Sequence, residues 1–420
     1  MQDQEKYKMK GKETRLLFDL RATQPNGSGK RHGGGRYGEV IFFRMAEMGL
    51  KFGCFYDSSQ WFNPDVKKVV EEKGLPLHDV AGKKVQEIID KEGYDRIYSC
   101  LHSLETLTVK GCKIYGTIHG LRQFETPWDS CFWKYKNTTR EKIKFILKSY
   151  MPGLWRKREE WKWRRKFVNG SKELNMVVVS EHTKYAVKSF FPEVKDWDMQ
   201  VFFSPNTSLK TENLELRTLR VSESRANSFE LCRAGAGSTK STKNDGGERY
   251  FLAVSGNRWE KNNLRAIEAF DRLLSAGLIK DVRMKVTGAK TASIYKYKLR
   301  NPEAFDFLGY VSEEELEQLY AGAYLFVYPS LNEGFGYPPI EAMRYKVPVI
   351  ASPLSSMAEI LDQGALYFNP FLVEEIMNRM LMMMEPERHR EFSERGYRQY
   401  LKISERQRRD LDGVIDYIIN

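Results

Sequence analysis

The stretch Tyr328-Pro329-Ser330-Leu331-Asn332-Glu333-Gly334-Phe335-Gly336-Tyr337-Pro338-Pro339-Ile340-Glu341-Ala342-Met343 decides how this chain of 420 residues is read. The apolar run Tyr324 to Tyr328 predicts a buried strand. Ile340, Met343 and Tyr345 predict a short helix after it, with Pro338 and Pro339 in a first turn whose amides lack a helical partner. Gly334 and Gly336 permit positive φ and let backbone approach a ligand closely. The predicted order is strand, glycine loop, helix, and the amides of a helix N-terminus suit a phosphate. Two carboxylates bracket the loop, with seven residues between them. Glu341, one turn into the helix, suits a ribose or sugar diol, because a carboxylate accepts from two adjacent hydroxyls. Glu333 stands at the loop mouth, where a reacting centre fits. The alternative is that Glu333 caps the turn and Glu341 is a solvated helix residue.

A second strand–loop–helix unit lies upstream. Tyr250 to Gly256 predicts a strand, and Leu264, Ile267 and Phe270 give the next helix its buried face. Arg258 and Lys261 fall in the turn between them, where two cations beside helix amides make a diphosphate site. A solvated loop is the alternative. Val282 to Gly288, Phe305 to Val311 and Val347 to Ser352 predict further strands, and Ser312 with Glu315 forms a capping box.

The first half repeats the alternation. Arg15 to Arg21 predicts a strand, Ala22 to Arg36 a loop holding Gly33, Gly34 and Gly35, Tyr37 to Met48 a helix, and Lys51 to Tyr56 a strand. Ligands of doubly wound sheets sit at such carboxyl ends. Gly27-Ser28-Gly29-Lys30 is no P-loop, because Gln24 replaces the first glycine and Arg31 the Ser/Thr. The glycine loop either lends amides to a diphosphate or acceptor, or is a mobile surface loop. Asp95 to Leu101 and Lys113 to Ile118 predict two more strands, the second ending in His119, which can donate to a sugar hydroxyl or phosphate, or be structural. His102 is a weaker candidate. Leu174 to Ser180, with Ser180 as an N-cap, and Met199 to Ser204 complete the half. Asp196-Trp197-Asp198 mimics a metal-holding pair, but falls between a helix stop and a strand, so no metal role is expected.

Glu333 and Glu341 with their spacing resemble the E-x7-E signature of retaining glycosyltransferases of the GT-B fold, family four, and the resemblance extends over most of the chain. Thr117-Ile118-His119-Gly120 with Pro127 resembles that family's Thr-x-His-Asp segment, departing from it at Gly120. The resemblance implies an α/β fold of two Rossmann-like doubly wound domains facing an interdomain cleft. It implies catalytic roles for Glu333 and His119, and donor diphosphate contacts from Arg258, Lys261, Gly34 and Gly35. Ribose and sugar would meet Glu341, Gly334, Phe335, Gly336 and Tyr337, and Tyr310 and Val311 would lie by the nucleobase. No cofactor or metal is expected beyond a UDP- or GDP-linked sugar as substrate.

The formal charge of +12 is concentrated in one place. Between 133 and 172 there are 14 Lys/Arg against 3 Asp/Glu, a net +11. Trp155, Trp161 and Trp163 interleave there with Arg156, Lys157, Arg158, Arg164 and Arg165. Basic, Trp-rich helices suit an anionic membrane, a nucleic acid, or plain solvent. The lipid-linked acceptor implied by the resemblance favours the membrane over nucleic acid. Hydrophobic content of 41% supports full cores, and no apolar run reaches 18 residues. The polar opening Met1 to Thr14 predicts no signal peptide, and five scattered cysteines predict reduced thiols. The expected division is 1–205 as acceptor domain, 206–249 as a hinge with a disordered insertion, 250–395 as donor domain and 396–420 as a returning helix. The expected activity is transfer of a hexose, mannose foremost, to a lipid-linked or polysaccharide acceptor at the inner face of the plasma membrane. A sucrose- or trehalose-type synthase, and a non-catalytic protein binding nucleic acid or anionic surfaces, are the alternatives.

Overall fold

The computed structural model describes residues 13–25, 33–101, 103, 105–126, 129–135, 138–167, 174–195, 197–206 and 249–420. The expected insertion at 209–249 falls almost wholly outside them, as do His102, Pro127 and Asp196.

The described chain forms two compact units, each around one parallel sheet. The first sheet holds β1 (Glu13–Asp19), β2 (Lys51–Tyr56), β3 (Leu77–Asp79), β4 (Arg96–Ser99), β5 (Lys113–Ile118), β6 (Asn175–Val178) and β7 (Asp198–Val201), in the order β3-β2-β1-β4-β5-β6-β7. The second holds β8 (Arg249–Ala253), β9 (Val282–Thr287), β10 (Phe305–Gly309), β11 (Leu325–Tyr328), β12 (Val349–Ala351) and β13 (Ala365–Tyr367), in the order β10-β9-β8-β11-β12-β13. Parallel sheets are covered on both faces, which is why their strands read as apolar runs. Leu325 pairs with Phe251 and Phe326 with Leu252, all four fully buried. In each sheet the direction of winding reverses beside the first strand, at β1/β4 and at β8/β11. Open α/β sheets bind ligands at the carboxyl ends of strands flanking such a reversal.

Helices connect the strands: α1 (Gly33–Glu47), α2 (Pro64–Lys73), α3 (Val85–Glu92), α4 (Arg122–Glu125), α5 (Thr139–Tyr150), α6 (Pro152–Phe167), α7 (Glu181–Phe190), α8 (Asn263–Ser275), α9 (Glu313–Gly322), α10 (Tyr337–Arg344), α11 (Met357–Leu361), α12 (Val373–Met384) and α13 (Pro386–Ile419). Ser180 caps α7 by accepting from the Thr183 amide, and Ser312 and Glu315 form the expected box at α9. No described helix is long and apolar enough to cross a membrane.

Three expectations are corrected. β1 ends at Asp19, not Arg21, because the Asp19 carboxylate accepts from the Arg21 amide and turns the chain into a 3-10 helix. Gly33, Gly34 and Gly35 open α1 instead of lying in a loop. The third concerns residues 125–152, expected within the first domain, which pack with the second unit. There the Phe132 ring meets Trp259 at 4.5 Å, Tyr135 meets Tyr295 at 5.6 Å, and Asp129 pairs with Arg265 at 2.5 Å. Residues 404–420 of α13 pack with the first unit. Asp410 accepts from the Phe203 amide at 2.9 Å, and Gln407 donates to the Ser204 carbonyl at 2.6 Å.

Asp129 and Arg265 are both nearly excluded from water. Removing one partner of such a pair strands the other charge. Asp129→Ala is therefore expected to lower stability by about 3–5 kcal/mol, measured by chemical denaturation. A loss within experimental error would show that this pair does not anchor 125–152.

Candidate functional site

The loops after β8 and β11 leave neighbouring strands and are joined by hydrogen bonds. The Leu331 amide donates to the Glu260 carbonyl at 2.8 Å, and the Ser330 hydroxyl oxygen lies 3.4 Å from the same carbonyl. The backbone is held in uncommon shapes on both sides of the first loop, with Ser255 at φ 57° and Asn262 at φ 56°. Such residues persist only where surroundings over-determine them, and they cluster at functional sites. The Asn262 side chain donates to the Pro370 carbonyl at 2.7 Å, fixing the turn that starts α8.

Lys261 and Glu333 meet across these loops. Both are buried, and Lys261 Nζ lies 2.5 Å from Glu333 Oε1. The Tyr328 hydroxyl accepts from Lys261 at 2.7 Å and donates to Glu333 Oε1 at 2.7 Å. The Ser330 hydroxyl donates to the same oxygen at 2.5 Å. Burial, then the Glu333 charge, pushes the Tyr328 phenol well above its ordinary value, so it remains a donor. Burial works against the charge of Glu333, but Lys261 and the hydrogen bonds outweigh it and hold the carboxyl below its ordinary range. All three donors fall on Oε1; among the described residues none meets Oε2, which keeps acceptor capacity for a ligand hydroxyl.

Around this core, the expected residues fall as follows. Gly336 adopts φ 91° and precedes α10, with Pro338 and Pro339 in its first turn as read from the sequence. A side chain at Gly336 would lie 2.6 Å from Met357 Sδ. Gly334 does not share the left-handed shape. Glu341 is half-buried, near enough to Tyr320 that its charge, after burial, helps raise that phenol. Phe335 turns inward and Tyr337 packs on it at 5.2 Å, so at Phe335 the loop offers backbone more than side chain. Arg258 pairs with Glu260 at 2.7 Å and stays half-exposed. Tyr310 is 90% exposed beyond the edge strand β10, with Val311 half-buried beside it. Asn332, in the same loop, donates to Glu125 at 3.1 Å, so residues at 125 support it.

The first unit carries a separate group at β1/β4. Gly34 and Gly35 occupy the first turn of α1, where a Cβ on Gly34 would lie 2.8 Å from Leu101, and Gly35 is buried. His119 follows β5, and its Nε2 lies 3.0 Å from the Cys100 carbonyl. A carbonyl only accepts, so Nε2 carries the proton. The Tyr37 ring meets His119 edge-on at 4.9 Å, which fixes the imidazole. Gly120 beside it has φ 130°, a shape that side chains rarely adopt. That accounts for glycine where the resemblance led us to expect aspartate.

The Trp-rich helix α6 is not the uniform surface the sequence suggested. Trp163 is buried, stacked on Phe191 at 3.7 Å, and cannot reach a membrane. Trp161 is exposed with Arg165 over its ring, and Trp155 is half-buried under Arg158. Arg164 binds Glu193 and Glu160, and Arg156 binds Glu160. Lys157 is exposed. Sequence reading missed α5, though Thr138 and Glu141 spell a capping box at its start. It also passed over Tyr328 and Ser330 as donors to Glu333.

Residues 238–399 match the sequence profile of Glycosyl transferases group 1. The O-antigen chain mannosyltransferase RfbU of Salmonella typhimurium is 37% identical over 131 residues, 29% of this chain and 35% of that protein. The chain thus aligns with about a third of this relative's length. Two solved structures share the fold: a glycosyltransferase from Rickettsia africae (TM-score 0.58, 13% identity, covering 96% of this chain and 98% of that one) and Anabaena Alr3699/HepE in complex with UDP and glucose (TM-score 0.54, 14% identity, covering 96% and 98%). The architecture is that of GT-B glycosyltransferases.

Because Glu333 has a lowered folded-state pKa, its pairing stabilises the protein fully above the ordinary carboxylate range. That stability is lost as pH falls through the lower folded value. Glu333→Gln removes it at neutral pH by about 3–5 kcal/mol and flattens the acid limb of the stability profile, read by denaturation between pH 7 and pH 3. An unchanged acid limb would contradict the assignment of Glu333 as a buried anion.

Proposed function

We propose that this chain is a retaining glycosyltransferase that moves a hexose from a UDP- or GDP-linked donor to a lipid-linked or polysaccharide acceptor in cell-surface glycan assembly. The observation that carries the reading is the Lys261–Tyr328–Ser330–Glu333 network at the β8/β11 reversal. It lies within the segment matched to Glycosyl transferases group 1. The similarity to an O-antigen mannosyltransferase favours mannose as the sugar.

In this reading the second unit holds the donor and the first presents the acceptor. Glu333 Oε2 accepts a sugar hydroxyl, and Glu341 accepts from the ribose. Arg258, Lys261 and the first-turn amides of α8 and α10 balance the diphosphate, with no metal required. Gly34 and Gly35 add backbone on the phosphate side, and Tyr310 with Val311 meets the nucleobase. The bond from C1 to the diphosphate oxygen breaks as the acceptor oxygen bonds C1 on the same face. The acceptor's proton passes to the departing phosphate oxygen. His119, whose Nε2 proton is held by the Cys100 carbonyl, accepts from a sugar hydroxyl through Nδ1 on the acceptor side.

The protein works peripherally at the inner face of the plasma membrane, and the support shifts from α6 to α5. Ile143, Ile146, Leu147 and Tyr150 repeat at helical spacing on one face and are 53%, 50%, 48% and 82% exposed. Arg140, Lys142 and Lys144 flank them. Each such cation adds about 1 kcal/mol at an anionic leaflet.

Two measurements test this. Incubation with a panel of nucleotide sugars and acceptors, followed by mass spectrometry, is expected to give product with one hexose added. Glu341→Gln, whose side chain is only half-buried, is expected to reduce transfer by about a hundredfold without loss of folding. No product from any donor, or full activity in that variant, would overturn the donor-site assignment. Separately, flotation with acidic vesicles is expected to recover the protein, and Ile146→Asp with Leu147→Asp to abolish recovery. Equal recovery on neutral and acidic vesicles would remove the anionic-membrane reading.

A further inference from the structure

The first unit contains a cavity of about 420 Å³ that the donor site does not use. One wall is His119, Gly120 and Gln123; the other is one face of α6, with Glu159, Lys162, Trp163 and Lys166. Trp163 is anchored from behind by Phe191, so this wall is rigid.

The charges in this cavity do not balance. Glu159 is bound to Lys162 at 2.6 Å and is spent. Lys166 is partly buried, with Nζ 5.3 Å from the Phe167 ring centre, and meets no carboxylate among the described residues. Its burial lowers its pKa with nothing opposing the shift. Gly120 adds no side chain, so among the described lining residues no acid stands opposite. A partly desolvated cation without an anion is costly, and a bound anion offsets that cost. The apolar remainder of the lining, Ile118, Leu101 and Phe167, suits a ligand that is not anion alone.

We propose that this cavity is the acceptor subsite and that it grips a phosphate or diphosphate on the acceptor through Lys166, with Lys162 holding Glu159 away from the anion. The inference rests on the glycosyltransferase reading for the word acceptor; the anion site itself follows from the cavity. Lys166 and Lys162 are therefore specificity residues for an acceptor carrying phosphate, beside His119.

The test is isothermal titration calorimetry on the full chain with farnesyl diphosphate, glucose 1-phosphate and the neutral alcohol farnesol. Both phosphates are expected to bind wild type. Lys166→Met is expected to weaken them at least tenfold, and Lys166→Arg to restore affinity to within about threefold, with farnesol unaffected by either. Tighter binding of farnesyl diphosphate than of glucose 1-phosphate assigns a lipid-linked acceptor, and the reverse a soluble sugar phosphate. If Lys166→Met does not fold, Lys162→Ala serves, because Lys162 is exposed and its loss releases Glu159 toward the anion; a tenfold weakening is again expected. Failure of wild type to bind either phosphate, or unaltered affinity in the folded variants, overturns the proposal. Thermal stabilisation by UDP- or GDP-hexoses is measured alongside. It depends on the second unit, so its absence would sink the glycosyltransferase reading while leaving a Lys166-dependent anion site in place.

Discussion

The second unit depends on one buried ion pair. Lys261 and Glu333 come from loops on adjacent strands, and neither is tolerable alone in an apolar setting. Coulomb attraction by itself rarely repays the desolvation of two such ions. What makes the pair viable is that Tyr328 and Ser330 complete the shell of Oε1, while Tyr328 also accepts from the lysine. The loops are consequently locked to each other before any ligand arrives. A site assembled in that way presents Oε2 and the surrounding amides at fixed positions, which is the sense in which electrostatics can be preorganised.

The same logic recurs in the first unit with weaker means. His119 is oriented by a carbonyl and an aromatic edge instead of an ion pair. Both groups stand where the winding of a parallel sheet reverses, so the positions come from topology and the chemistry from the residues placed there.

Much of this was legible in the chain itself. Apolar runs such as Tyr324 to Tyr328 announce buried parallel strands, and Gly336, Pro338 and Pro339 mark the turn into α10, as found. The spacing of Glu333 and Glu341 pointed to the loop, but not to the partners of Glu333, because Tyr328 and Ser330 look like strand-end residues until the backbone folds over. The fate of Trp163 was hidden for a different reason. Trp155, Trp161, Trp163 and Phe167 among cations look alike in sequence, and only packing separates the buried Trp163, stacked on Phe191, and Phe167 from the exposed Trp161. Residues 125–152 were misplaced because affiliation with a unit is a matter of long-range contacts, which their basic composition does not report. The bias toward an anionic ligand at Lys166 was likewise invisible, since it arises from which carboxylates are absent or already taken.

The composition of the two units bears on the order in which the chain matures. The first sheet is complete in strands by residue 201, yet its packing also uses residues 404–420. Tyr417 meets Tyr115 edge-on, and Arg96 donates to the Ile419 carbonyl. During vectorial synthesis the part made first therefore waits for residues 404–420, with β4 and β5 uncovered at that face until those residues have emerged. The protein is in this respect a single cooperative folding problem, in which a lesion in the final helix is felt by strands emerging some three hundred residues earlier.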